Sequence, residues 1–243
     1  MAANTVIAID GISVVVRGHF NAAIFFSPPL WMLQQNLIGP NDFFASAEIE
    51  VITSEFASFS TGWLNCQVVP DTLQLNTSEG AEFERVRDAA IGILSALPHT
   101  PVAAVGINRS LHFQANSKEQ YHAIGDRLLP KDFWEPLLDL PLTRNVTLWG
   151  QRPDSYGGRV QVQVEPSMRI PGHVYVSHSD HFNLQVIEER ATSRDEAWSM
   201  ESANAPSEPS AAKIRVAQEI LSTVWASCIK RSNEVVEAIA RIQ

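Results

Sequence analysis

Arg159-Val-Gln-Val-Gln-Val-Glu165 alternates polar and apolar side chains without interruption. Successive side chains of a β-strand point to opposite faces. Val160, Val162 and Val164 therefore face a core, while Arg159, Gln161, Gln163 and Glu165 face water. A strand of this kind belongs to a sheet with one dry and one wet face, which is the pattern of antiparallel rather than parallel sheets. The segment His173–Leu184 continues the argument. Val174, Val176, His178, Asp180, Phe182 and Leu184 share the core parity. His173, Tyr175, Ser177, Ser179, His181 and Asn183 share the polar one.

Working outward, Thr5–Phe20 is rich in β-branched residues and reads as extended, with Gly11 as a bulge or kink. Pro29 opens a short helix through Leu30, Trp31, Leu33 and Gln34. Strands follow over 47–57, 63–69 and 73–76. Phe83, Val86, Ala90, Ile93 and Leu97 then recur at helical spacing behind Glu79, Glu82 and Glu84. The second half repeats the order. A strand spans 102–113, and Ser117-Lys-Glu-Gln120 is a capping box before the stripe Tyr121, Ile124, Leu128. Strands follow at 145–149, 159–165 and 173–186, with Gly157-Gly158 as the hairpin turn between the first two of these. Residues 191–210 are polar and rich in Ser, Ala, Glu and Pro, the composition of a mobile linker. A last helix runs from about 211 to 242.

The order strand, helix, three strands, helix thus occurs twice. Thr5-Val-Ile-Ala-Ile-Asp-Gly-Ile-Ser13 aligns with Thr100-Pro-Val-Ala-Ala-Val-Gly-Ile-Asn108, with Thr, Ala, Gly and Ile coinciding. His19-Phe-Asn, His112-Phe-Gln and His181-Phe-Asn recur at three strand ends. We expect an α+β fold: antiparallel sheet covered by helices on one face, a tandem β-α-β-β-β-α duplication about a pseudo-twofold axis, and a long C-terminal helix. The units are 1–98 and 99–243, within one domain overall. This element order is similar to that of the TATA-binding-protein-like and helix-grip folds, a likeness of architecture and not of function.

Lys plus Arg total 18 and Asp plus Glu total 27, a net charge of −9. That sign opposes the cationic footprint that nucleic acid requires. No apolar run reaches the roughly 18 to 20 residues of a membrane span, and no signal peptide is recognisable. A cytoplasmic protein is expected, with Cys66 and Cys228 as buried free thiols.

Three regions carry candidate chemistry. His173, His178, Asp180 and His181 are residue types that ligate zinc or iron. Parity sends His178 and His181 to opposite faces, and a regular strand separates His173 from His181 by about 26 Å. A metal site would need a tight turn at 177–179, and none is expected. His178 and Asp180 share the core parity, so they are the candidate catalytic dyad or a buried structural pair. On the wet face Gln161, Gln163, Tyr175 and Ser177 are the candidate ligand-binding residues. On the last helix Ile214, Leu221, Cys228, Val235 and Ile242 recur every seven residues, interrupted by Arg231 in the intermediate row. Leu221, Trp225, Cys228, Ile229 and Val236 are the candidate interface. No Gly-x-Ser-x-Gly elbow, phosphate-binding glycine loop or Cys-x-x-Cys occurs, and no cofactor is implied. The expected function is a non-catalytic, acidic subunit of a homo- or hetero-oligomer. The alternative is a hydrolase or small-ligand domain with its site at 173–181.

Overall fold

A computed structural model describes residues 5–21, 28–186, 190–203 and 208–243. Strand β1 (Ile7–Gly18) leads to two short helices, α1 (Pro28–Gln34) and α2 (Pro40–Ser46). A meander of β2 (Glu48–Ile52), β3 (Ala57–Ser60), β4 (Asn65–Val69) and β5 (Thr72–Thr77) precedes α3 (Phe83–Ala96). The second half comprises β6 (Val102–Gln114), α4 (Lys118–Leu128), β7 (Val146–Gln151), β8 (Tyr156–Pro166) and β9 (His173–Val186). It closes with α5 (Arg194–Ala203), α6 (Ile214–Thr223) and α7 (Trp225–Ala240).

All nine strands form one sheet in the order β2-β3-β4-β5-β1-β6-β9-β8-β7. Each half sets its last strand beside its first, and the halves meet at the antiparallel β1–β6 seam, where Ser13 lies opposite Asn108. The α+β class and the one-sided antiparallel sheet are as the alternation required. Four strands follow β1 and three follow β6, so the halves differ in length.

Helices α3, α6 and α7 pack on one face. There Ile12, Val14 and Val16 of β1, Leu73 and Leu75 of β5, and Cys66 and Val68 of β4 join Val86, Ala90 and Ile93 of α3 in one buried cluster. A second, smaller cluster gathers Leu111, Phe113, Val174 and Val176 under Ile124 of α4 and Val236 and Ile239 of α7. Ser117 caps α4 as its sequence requires: its Oγ accepts from the Gln120 backbone N–H at 3.2 Å, and Gln120 Oε1 accepts from that of Asn116 at 2.7 Å.

Four local expectations change. The strand expected over 47–57 is two strands joined by a turn, in which Thr53 Oγ1 accepts from the backbone N–H of Phe56 at 2.9 Å. Gly157-Gly158 is not the β7–β8 turn, because β8 already begins at Tyr156. The pair sits at an irregularity in the β8–β9 register, and Gly158 adopts φ +117°. A Cβ there would lie 2.2 Å from the carbonyl oxygen of His181, so the backbones approach too closely for any side chain. The stretch 191–210 carries helix α5, while 204–207 lie outside the described residues. The last helix is interrupted at Val224 (φ −107°, ψ −2°). Ser222 and Thr223 donate their hydroxyls back to the carbonyls of Gln218 and Glu219 at 2.7 and 2.8 Å, a bond pattern that bends helices.

Candidate functional site

Strand β9 runs unbroken, so alternation decides where its histidines go. His178 pairs across the sheet with Arg109 of β6, and Asp180 with Ile107, on the helix-covered face. His178 is 1% exposed and Asp180 0%. His173 and His181 belong to the opposite face, so the strand does not gather the three histidines. Among the described residues no group of three or more His, Cys, Asp or Glu side chains converges for a metal ion.

His178 and Asp180 are part of a larger ionic layer. Arg152, fully buried, donates from Nη1 to Asp180 Oδ1 at 3.0 Å, and from Nε and Nη2 to the two oxygens of Asp154 at 3.0 and 2.5 Å. Its guanidinium lies 3.5 Å from the Phe182 ring centre. Arg231 of α7 donates to the same Asp180 Oδ1 at 3.0 Å. His178 Nδ1 lies 3.3 Å from Asp180 Oδ2. One strand over, Arg109 grips Asp10 with two bonds of 2.9 and 2.7 Å and donates from Nη1 to Ser232 Oγ at 3.0 Å.

This layer separates the two apolar clusters. Along β9, Val174 and Val176 lie on one side of His178 and Asp180, and Phe182 and Leu184 on the other. Along β6, Arg109 stands between Ile107 and Leu111. Along α7, Arg231 and Ser232 stand between Cys228 and Val236.

Burial shapes the titration of these groups. Desolvation holds the His178 imidazole below its ordinary value, against the pull of Asp180 and with the help of Arg231, Arg152 and Arg109. The Cys228 thiol is pushed up to about 12 by burial and by Asp180. Cys66 is also buried and shifted upward by desolvation, so both thiols are free and unreactive. Burial works against the charge of Arg152, but Asp154 and Asp180 raise its pKa all the same. The arrangement holds this charge in the interior of the chain, with His178 and Asp180 closed off from the surface.

The candidate interface residues of the last helix are also taken up internally. Leu221, Trp225, Cys228 and Val236 are buried within the chain and Ile229 packs against the first cluster. Trp225 Nε1 donates to Glu84 at 3.0 Å.

The opposite face of the sheet is paved with hydroxyl, amide and small side chains. Gln161 lies beside Ser179 and then Asn108. Gln163 lies beside Ser177 and then Ser110, and Glu165 beside Tyr175 and then His112. The four candidate ligand-binding residues therefore share one face. Gln163 donates to Glu165 at 3.0 Å. Tyr175 and Ser177 line a depression of about 470 Å³, and Gln161 lines a neighbouring one of about 610 Å³; Asn108 borders both. His112 lies within 2.8 Å of Ser167 Oγ through Nδ1 and 4.9 Å from the Tyr175 ring. Burial, with Arg169 and His173 nearby, lowers its pKa.

The feature absent from the sequence-based expectations is the connection from α4 to β7. Leu129, Phe133, Trp134, Leu137, Leu138, Leu140 and Leu142 are all exposed there, Leu140 at 83% and Leu142 at 76%. Pro130, Pro136 and Pro141 punctuate the stretch and deny it a helix or strand that would bury these side chains. It is nevertheless fastened. Lys131, 8% exposed, donates to the carbonyls of Leu129 at 2.5 Å and Gly125 at 3.3 Å and to Thr143 Oγ1. Thr143 Oγ1 donates in turn to Gly125 O at 3.0 Å. The prolines amid so many Leu, Phe and Trp residues were the available signal.

No family model matches the chain, and no curated protein matches it. Among solved structures, the crystal structure of DynU16, from the dynemicin biosynthetic locus, aligns over 87% of this chain and 98% of its own at 11% identity and a TM-score of 0.23. A likeness of that size carries no argument. No helix among the described residues is long and apolar enough to cross a membrane.

Proposed function

We propose that this chain is a non-catalytic assembly subunit that docks a partner protein through the apolar surface between Leu129 and Leu148. One observation carries the reading: seven large apolar side chains are exposed within the fourteen residues 129–142, on a loop pinned by Lys131 and Thr143. Exposed apolar surface of this density marks interaction sites, because each such side chain gains about 1.5–3 kcal/mol when taken from water. Leu148 of β7, 64% exposed, extends the surface onto the sheet edge.

The rim gives the partner its chemistry. Asp126, Asp132 and Glu135 border a cavity of about 510 Å³ together with Leu140 and Leu142. A second copy would bring the same acidic rim against its own. A different chain with apolar anchors and basic residues around them fits better. The enzymatic alternative would have to work from His178 and Asp180, which are 1% and 0% exposed. The tandem duplication we retain as an inference, supported by the matching strand order on either side of the β1–β6 seam.

The test uses tagged wild-type chain and a Leu137→Asp/Leu138→Asp variant isolated in parallel under native conditions. A stoichiometric partner retained by the wild type and lost by a folded variant supports the reading. Equal retention by both chains refutes it.

A further inference from the structure

The space beside the loop at 129–142 differs from the open depressions of the sheet. A cavity of about 140 Å³ lies between α4 and strands β7, β8 and β9. Its floor is the smaller apolar cluster, through Ile124, Val164 and Val174. Leu128, Leu142 and Val146 complete a wall that is mainly hydrocarbon. The cavity exists because α4 ends at Leu128, and the prolines that follow carry the chain out and back before β7 begins at Val146. The returning chain passes close to α4 at Gly125, where a Cβ would lie 3.1 Å from the Thr143 side chain.

The lip formed by Leu142 and Thr143 is fixed. Thr143 Oγ1 donates to Gly125 O at 3.0 Å, and Lys131 donates to the same carbonyl at 3.3 Å. These polar groups satisfy one another and ask nothing of an occupant. A wall held in place before binding also spares the entropy of ordering it.

Volume selects the occupant. Pockets for whole small molecules hold roughly 300–1,000 Å³, whereas an aliphatic cavity of about 150 Å³ takes up a single benzene ring. One ring is what one protein side chain presents, and interface anchors are aromatic side chains seated in pockets of this kind. Tyr and Trp would bring a polar tip that seeks a partner, so Phe fits best. Charge selects the neighbours of that ring. His122, Asp126 and Leu142 line both this cavity and the adjoining one of about 510 Å³, where Asp132 and Glu135 stand exposed. Lys131 Nζ lies 3.3 Å from Asp126 but is also held by the carbonyls of Gly125 and Leu129. The mouth is therefore acidic.

We propose that this cavity is the socket for one phenylalanine side chain of the partner, flanked in the partner's sequence by lysine or arginine. The inference rests on the docking reading above and adds the anchor to it.

The experiment is a methyl NMR titration of the full chain with the tripeptide N-acetyl-Lys-Phe-Lys-amide, with the corresponding Lys-Ala-Lys and Glu-Phe-Glu peptides as controls. Saturable shifts are expected at the methyls of Ile124, Val164 and Val174, with those of Ile12 and Val14 in the larger cluster unmoved. The Lys-Phe-Lys peptide is expected to bind at least about tenfold tighter than the Ala peptide, the order of burying one such side chain. It is also expected to bind tighter than Glu-Phe-Glu, which meets the acidic mouth with like charge. Val164→Phe places a ring of the chain's own in the space. It is expected to abolish the shifts at Ile124 and Val174 and to raise the thermal midpoint, as cavity filling does. If that variant does not fold, Leu142→Asp, at a position 76% exposed, is expected to weaken binding by about tenfold. No saturable shift at those methyls, equal binding of the Lys-Phe-Lys peptide and either control, or an unchanged titration in the variants overturns the socket. The docking reading fails on other data, because Leu137 and Leu138 do not line the cavity. A partner lost by Leu137→Asp/Leu138→Asp with no peptide shift strikes the socket alone. Peptide shifts with equal partner retention strike the docking reading alone.

Discussion

The same helix-covered face of one sheet is built in two ways. On β1 it presents Ile12, Val14 and Val16, all within 2% of full burial, and the neighbouring β5 and β4 continue in hydrocarbon. Two strands away, on β9, the same face presents Val176, then His178 and Asp180, then Phe182, at the same depth. The first half is held by area removed from water. The second interposes an ionic layer between that same large cluster and a smaller one, and α7 answers it with Arg231 and Ser232. Burial alone is thus a poor guide to what a strand position does. The charged groups there are paired with each other, with partners from β1, the β7–β8 turn and α7, while His178 Nε2, Asp180 Oδ2 and Arg231 Nε have no hydrogen-bond partner among the described residues.

The sharpest way to break this comparison is to remove one member of the layer. Asp180→Ala leaves Arg152 and Arg231 without their shared carboxylate and is expected to cost about 3–5 kcal/mol in chemical denaturation. A loss below about 1 kcal/mol would show that the guanidiniums find other partners and that the two halves are alike. Acid is the next test. Burial holds His178 of the folded chain below the value of 6.5 that it approaches when unfolded. Below about pH 6.5 the unfolded chain binds more protons, so its contribution to stability is complete above that pH. It falls by up to about 1.4 kcal/mol per pH unit as pH drops towards the folded value. His178→Gln should flatten denaturation midpoints measured between pH 7 and 5, His112 leaving a residual slope of the same sign. In the apolar half, Ile12→Val should cost about 0.5–1.5 kcal/mol and add no pH dependence, since it only trims packing. A pH-dependent loss at this position would erase the distinction.

How much of this was written in the chain follows from what each signal depends on. Strand parity is local, so Arg159–Glu165 and His173–Leu184 disclosed the wet and dry faces, and the capping box at Ser117 and the stripe of α3 fixed two helices. The burial of His178 and Asp180 on the core parity was legible for the same reason. Their partners were not, because Arg152 and Arg231 reach Asp180 only through strand order and helix placement, which are long-range. Arg231 did stand out as a break in the apolar repeat of the last helix, and that break was the trace of the layer. Heptad spacing left core packing and an oligomer contact both open, and the chain packs Leu221, Trp225, Cys228 and Val236 into its own core. An apolar stripe looks the same whichever surface covers it. The exposed loop at 129–142 went unread because periodicity methods see only regular elements, and its three prolines prevent one.

The smallest expected effect on stability lies on that loop. Leu138→Asp removes an exposed side chain and is expected to change folding free energy by no more than about 0.5 kcal/mol, while abolishing partner retention. A destabilisation comparable to that of the core variants would mean the loop belongs to the fold and not to an interface.

The account rests most heavily on the nature of that surface, and native mass spectrometry of the chain isolated with its partners intact addresses it directly. The account predicts a complex of this chain with a different polypeptide in fixed ratio, which dissociates when Leu137 and Leu138 are both replaced by Asp. A bare monomer, or a homo-oligomer unaffected by those substitutions, would contradict it.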